Sequence, residues 1–252
     1  MWEFSLNLNS ENYEIAKYFY NSLSNYITGL GGVLTSHESK GYISILFAVE
    51  DDKAESLQSL IANAVVEVIC DRFKAEYLNK CLFLPEHDRI GMSAFKKALL
   101  NFDRETDRFI IKKSLVLEND LYLESFFRFR LKPLQEKWEE LVTLSNENRE
   151  YLVSKESFID LLKFLVDNLD ICADEISVVK EDGGYRIFND QKCGELISEE
   201  SMVSSVIDLS PQKINLYFNE SSSATLLLEK IFEERISINP VNNQNIKKFT
   251  LN

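Results

Sequence analysis

Residues Phe126, Phe127, Arg128, Phe129, Arg130, Leu131 and Lys132 place three aromatic rings and three cations in seven positions. Cations beside exposed rings can hold an acidic protein surface or a small anion. The same composition also describes a helix whose long arginine stems cover the edge of a core. On a helical projection Phe127, Arg130, Leu131 and Leu134 share one side, while Arg128 and Lys132, four apart, share another. An arginine in an apolar sector needs a carboxylate or an anionic partner. Arg128, Arg130, Lys132 and Phe127 are therefore the candidate binding residues.

Other chemistry-bearing residues form weaker patterns. Thr28-Gly29-Leu30-Gly31-Gly32 follows a helix and precedes a strand, the reverse of a phosphate loop, and reads as a helix end and turn. Ser93 and Lys96 match S-x-x-K without the partner motifs of that enzyme class. His37 and His87 are the only histidines. Glu86-His87-Asp88 are neighbours in a turn, which rarely converge on one ion, so no metal site is expected. Asp103, Glu105 and Asp107, like Asp167, Asp170 and Asp174, read as solvated acidic surface. The cysteines Cys70, Cys81, Cys172 and Cys193 form no C-x-x-C pair and read as buried free thiols. No cofactor motif is complete, which argues against an enzyme; an unrecognised hydrolase using carboxylates is the remaining catalytic reading.

Composition narrows the classes further. The chain has 252 residues, 45% hydrophobic and 27% charged, enough for one large or two small ordered domains. A net charge of −13 repels polyanions and argues against nucleic acid; Lys112-Lys113 and Lys247-Lys248 are too short to reverse it. The start lacks a basic segment followed by an apolar one, and the greasiest early run, Tyr42 to Val49, is too short to span a bilayer. A soluble cytoplasmic protein without a membrane span is expected.

Elements that would position these residues follow from periodicity. Trp2, Phe4, Leu6 and Leu8 alternate as a strand, and Ile15, Phe19, Leu23 and Tyr26 make a helix face. Strands around Val33–His37 and Tyr42–Val49 complete a β-α-β-β opening. A long helical stretch starts at Asp51-Asp52. A second segment begins near Ser93 and runs, with a break, toward Leu117. The acidic Glu118–Asp120 suits the start of another helix, carrying Phe127, Leu131, Leu134, Trp138 and Leu141 and kinked or broken at Pro133. A helix through Phe158, Leu162 and Leu169 precedes a hairpin turned at Asp182-Gly183. Ser198 caps a helix ended by Pro211, and Lys213–Phe218, Ser223–Glu234 and Ile236–Ile238 read as strand, helix and last strand.

Several short blocks in order resemble one family. Phe127-Arg128-Phe129-Arg130-Leu131-Lys132 looks like the F-x-x-F-R-L-K segment of the YtxC-like sporulation proteins of endospore-forming bacteria. Ser157-Phe158-Ile159-Asp160-Leu161-Leu162-Lys163-Phe164-Leu165-Val166 resembles the family's E-F-I-x-L-L-x-Y-F-V helix. Asp174–Val179 with Gly184–Phe188 resembles its hairpin, and Ser210–Leu216 with Ile231–Ile236 its ending. The likeness covers Leu121 to Ile238. It departs where Pro133-Leu134 replace the family's Asp-Tyr, and where Ser237–Pro240 stand in place of cysteines.

The expected fold is α+β: an N-terminal β-α-β-β element, a helical middle and a mixed C-terminal α/β element with a β-hairpin. The division read from the sequence is 1–117 and 118–252. The resemblance implies a sporulation-associated intracellular protein acting through protein–protein contacts with an unknown partner. A binding module for a small anionic ligand at residues 126–132 is the alternative, and no cofactor is implied.

Overall fold

The computed structural model describes residues 1–82, 89–147, 155–189 and 192–240. Glu86-His87-Asp88 and Lys247-Lys248 lie outside them. The fold is α+β, with two mixed sheets. The chain divides into two compact units, each built from separated segments: Met1–Lys80 with Glu105–Val142, and Cys81–Arg104 with Thr143–Asn252. The division read from the sequence was contiguous; these units are not.

The first unit opens with β1 (Trp2–Asn9), α1 (Tyr13–Gly29), β2 (Val33–Ser39) and β3 (Tyr42–Val49). Helix α1 buries Ile15, Ala16, Phe19, Leu23 and Ile27 at three-to-four spacing. It ends as the glycines demand. Gly31 turns at φ +71°, and a Cβ on Gly32 would stand 2.5 Å from Val49 Cγ1 and 2.7 Å from Ala48 O. Strands β1 and β2 each pair antiparallel with β3. Alternation puts Phe4, Leu6, Leu8, Ile43, Ile45 and Phe47 on one face, where they join the α1 residues in the core.

Helix α2 (Ala54–Val68) follows a short 3₁₀ turn and leads into a π turn at Ile69–Phe73, then α3 (Lys74–Cys81). The extra residue in the π turn sends Arg72 outward and brings Phe73 and Lys74 inward. The segment expected from Ser93 to Leu117 is two helices, α4 (Arg89–Asn101) and α5 (Arg104–Ser114), with Asp103 between them at φ +56°. Here β4 (Asp120–Tyr122) corrects the sequence reading. Asp120 starts no helix; its three residues pair parallel with β1, completing the order β2-β3-β1-β4. Then come α6 (Leu123–Arg130) and α7 (Lys132–Glu147).

The second unit contains α4, and after it α8 (Lys155–Asp167) precedes β5 (Ala173–Glu181), β6 (Gly184–Asn189) and β7 (Lys192–Ile197). Helix α9 (Glu199–Leu209), β8 (Pro211–Tyr217), α10 (Ser223–Phe232) and β9 (Ile236–Asn239) complete it, in the sheet order β7-β6-β5-β8-β9. Strands β5, β8 and β9 run parallel, with α9 and α10 as the intervening helices. The Ser198 hydroxyl accepts from the Ser201 amide and caps α9, as its position predicts. Strand β7 was not anticipated; it pairs with β6 through a register shift. A Cβ on Gly194 of that strand would stand 2.8 Å from Ile187 O.

All four cysteines are free, but only Cys70 is buried; Cys172 and Cys193 are exposed, so the reading as buried thiols fails for them. Among the described residues no helix is long and apolar enough to cross a membrane.

Candidate functional site

Helices α3, α5 and α7 of the first unit converge on a buried carboxylate. Asp107 is 0% exposed, and Lys74 is 1% exposed. Lys74 Nζ stands 2.7 Å from Asp107 Oδ2, and Lys137 Nζ 2.8 Å from Oδ1. The Trp138 indole Nε1–H donates to Oδ2 at 3.2 Å. One carboxylate thus accepts from two ammonium groups and an indole, while Lys74 Nζ lies 6.0 Å from the Trp138 ring centre. Burial pushes the Lys74 ammonium below the ordinary lysine value; the charge and hydrogen bond of Asp107 oppose the shift, and Lys137 adds to it.

Aromatic rings wall this set. Phe73 meets Phe127 edge-on at 5.0 Å, Phe127 lies 5.7 Å from Trp138, and Trp138 lies 6.0 Å from Tyr77. Asp107 was read as part of a solvated acidic surface, and burial corrects that. A usable signal existed. Asp107 is four residues before the fully buried Ile111, and Lys74 four before the buried Leu78, so both lie in phase with the apolar stripe.

The sign of the Lys74 shift has a measurable result. A lysine whose folded value is depressed destabilises the fold fully below that value, and the loss is relieved as pH rises toward the unfolded value. The stability of wild type relative to Lys74→Met is therefore expected to increase from neutral pH through the alkaline window below the ordinary lysine value. Urea unfolding of both proteins across that range measures it; a flat difference would show that Lys74 is not desolvated in the fold.

The second candidate is the basic and aromatic segment. Helix α6 ends at Arg130, Leu131 turns at φ −104°, ψ 31°, and α7 begins at Lys132. Pro133 sits in the first turn of α7, where its missing N–H costs nothing. The Gln135 side-chain amide donates to Phe127 O at 2.6 Å, closing the end of α6. This break changes the expected faces. Leu131 and Leu134 are buried, yet Arg130 is exposed, outside the apolar sector the uninterrupted projection gave it.

Of the four residues singled out from the sequence, Arg128, Arg130 and Lys132 are exposed, and Phe127 is turned into the aromatic row. The ring that stands out among the cations is Phe129, 64% exposed. Among the described residues none of these three cations forms an ion pair.

Elsewhere, Ser93 and Arg186 make contacts that join elements of the fold. Ser93 Oγ lies 2.7 Å from Ser204 Oγ, which takes the serine of the S-x-x-K match into a contact between α4 and α9. Arg186 is held by Glu181 at 2.9 Å across the hairpin, and its guanidinium is pushed up by that bond. Among the described residues no three His, Cys, Asp or Glu side chains are grouped to hold a metal ion.

The profile of the YtxC-like family matches residues 55–237. The chain belongs to the YtxC-like family. The matched part of this YtxC-like chain begins well before the Leu121 at which the short blocks became recognisable. It includes Lys74, Asp107, Lys137 and Trp138 as well as the exposed cations, and it leaves β1, α1, β2 and β3 outside. No curated protein and no solved structure matches the chain significantly.

Proposed function

We propose that this YtxC-like protein is a cytoplasmic, sporulation-associated protein that works through contact with another protein and not by catalysis. Its partner sits on the ledge formed by Arg128, Phe129, Arg130 and Lys132. One observation carries this reading. In a chain with 41 acidic and 28 basic residues, three cations stand unpaired around an exposed phenylalanine. A large ring held in water between free guanidinium groups suits a partner that offers carboxylates around an apolar pocket. Sporulation enters through the resemblance of the FRFRLK segment and the blocks after it.

The hydrolase reading lacks a comparable support. Asp107, the one buried carboxylate among the described residues, is held by three donors, two of them cations that stabilise its ionised form and weaken it as a base. A small anionic ligand would use the same three cations, but they lie on an exposed helix end.

The test is a paired capture from sporulating cells with wild type and Arg128→Ala/Arg130→Ala, after both are shown to melt alike. A partner recovered with wild type and lost with the variant is expected. Equal capture by the two proteins would remove the ledge from the function, and a thermal shift with phosphates or carboxylic acids that needs Arg128 and Arg130 would favour the small ligand.

A further inference from the structure

The N-terminal sheet has a second face. Alternation along β1, β3 and β4 turns Glu3, Leu46, Tyr42, Asp120 and Tyr122 away from the core, with Val33 beside them on the edge strand β2. Tyr42 and Tyr122 meet edge-on at 5.9 Å across β1. Between their strands Asn7 is buried, only 6% exposed, its Oδ1 accepting from the Ser44 hydroxyl at 2.6 Å and the Ser5 hydroxyl at 3.2 Å. Both tyrosines, Val33 and Leu46 remain exposed. Glu3 and Asp120 are exposed and form no ion pair among the described residues. The strands contribute no lysine or arginine to this face. It is an aromatic and acidic platform.

Such a platform excludes a phosphate backbone, because its only formal charges are negative. It suits guanidinium groups, which stack on tyrosine rings while pairing with carboxylates, and it suits a further ring set against the Tyr42–Tyr122 pair. Those features occur together on the ledge: two arginines, a lysine and an exposed phenylalanine, all unpaired. Both surfaces are exposed in one chain, so they do not satisfy each other within it.

We infer that a second copy of this chain seats its Arg128–Lys132 ledge on the open face of the first copy's N-terminal sheet. The inference rests on the reading of the ledge as a docking surface and names its partner. The net charge of −13 on each copy opposes approach at long range, but that repulsion is screened beyond about 8 Å at physiological salt. Local complementarity then decides at contact. Because the two patches differ, the contact is head-to-tail and can repeat, giving a series of oligomers in place of a closed dimer.

Sedimentation velocity on the full chain tests this, with two charge-reversed variants whose changed side chains are exposed. Arg128→Glu/Arg130→Glu reverses the ledge, and Glu3→Lys/Asp120→Lys reverses the face. Wild type is expected to sediment faster as concentration rises and to lose this in high salt. Each variant alone should associate roughly tenfold more weakly, because like charges now meet. An equimolar mixture should regain association, since each variant then offers the other a complementary patch. Wild type that stays monomeric at every concentration overturns the inference, as does a mixture that behaves like its two components. Either failure leaves the captured partner to be judged separately: a foreign protein lost with the Arg128→Ala/Arg130→Ala variant would keep the ledge as a docking surface for that protein. No ledge-dependent partner in either experiment would overturn both readings.

Discussion

Replacing Asp107 by alanine is expected to destabilise the first unit by about 3–5 kcal/mol, because it leaves the buried Lys74 ammonium without its counter-charge. Lys74 is the critical partner: at 1% exposure it cannot swing out to solvent without opening the core. The Trp138 indole N–H also loses its acceptor. Urea denaturation followed by tryptophan fluorescence measures the loss. The informative control removes the charges together. Lys74→Met with Asp107→Leu keeps the volume apolar and should cost far less than Asp107→Ala, or even stabilise, since a buried ion pair repays little of its desolvation. If the double variant is as damaged as the single, the set is doing something other than neutralising itself. If Asp107→Ala is silent, the carboxylate is not buried in solution.

Trp138→Ala should cost a similar amount, about 3–5 kcal/mol, by a different route. Trp138 is the largest fully buried side chain among the described residues, and it touches Phe127, Tyr77 and the ion set at once. Truncation leaves a cavity between α6, α3 and α7 that these rings cannot refill. Trp138→Phe separates packing from hydrogen bonding: it keeps a ring but removes the donor to Asp107, and should cost roughly 1–3 kcal/mol. Equal losses for the phenylalanine and alanine variants would place the whole effect on the indole N–H. Thermal melts of the three proteins by circular dichroism give the comparison.

What could be read from the sequence follows the strength of local periodicity. Strand β1 and helices α1 and α8 each carry a clear alternation or three-to-four stripe and form over it, although Ile27 takes the buried place expected for Tyr26 in α1 and α8 stops two residues before Leu169. Strand β4 has three residues, too few for a period, and exists because β1 has an open edge. Strand β7 begins Lys192-Cys193-Gly194 and shows no apolar alternation; its pairing with β6 supplies its order. The π turn was hidden because it changes phase without a proline or glycine to announce it, yet the five-residue step from Val68 to Phe73 marks it. At the candidate site, the cations were legible as residue types. Their exposure was not, since Arg130 changes face only where α6 stops. Asp107 was the reverse, an unremarkable carboxylate in a list of many, made exceptional by the stripe it interrupts.

The interleaving of the two units sets a schedule for the newborn chain. The first unit holds β1 next to β4, and Ser5 pairs with Asp120, so its sheet and its aromatic row wait for residues far downstream. Residues up to Lys80 leave the ribosome first, and the unit is complete only at Val142, 142 − 80 = 62 residues later. At ordinary rates of synthesis that delay is about 3–12 s. Throughout it, the partly assembled sheet must keep β1 unpaired on one side while a segment destined for the other unit passes by.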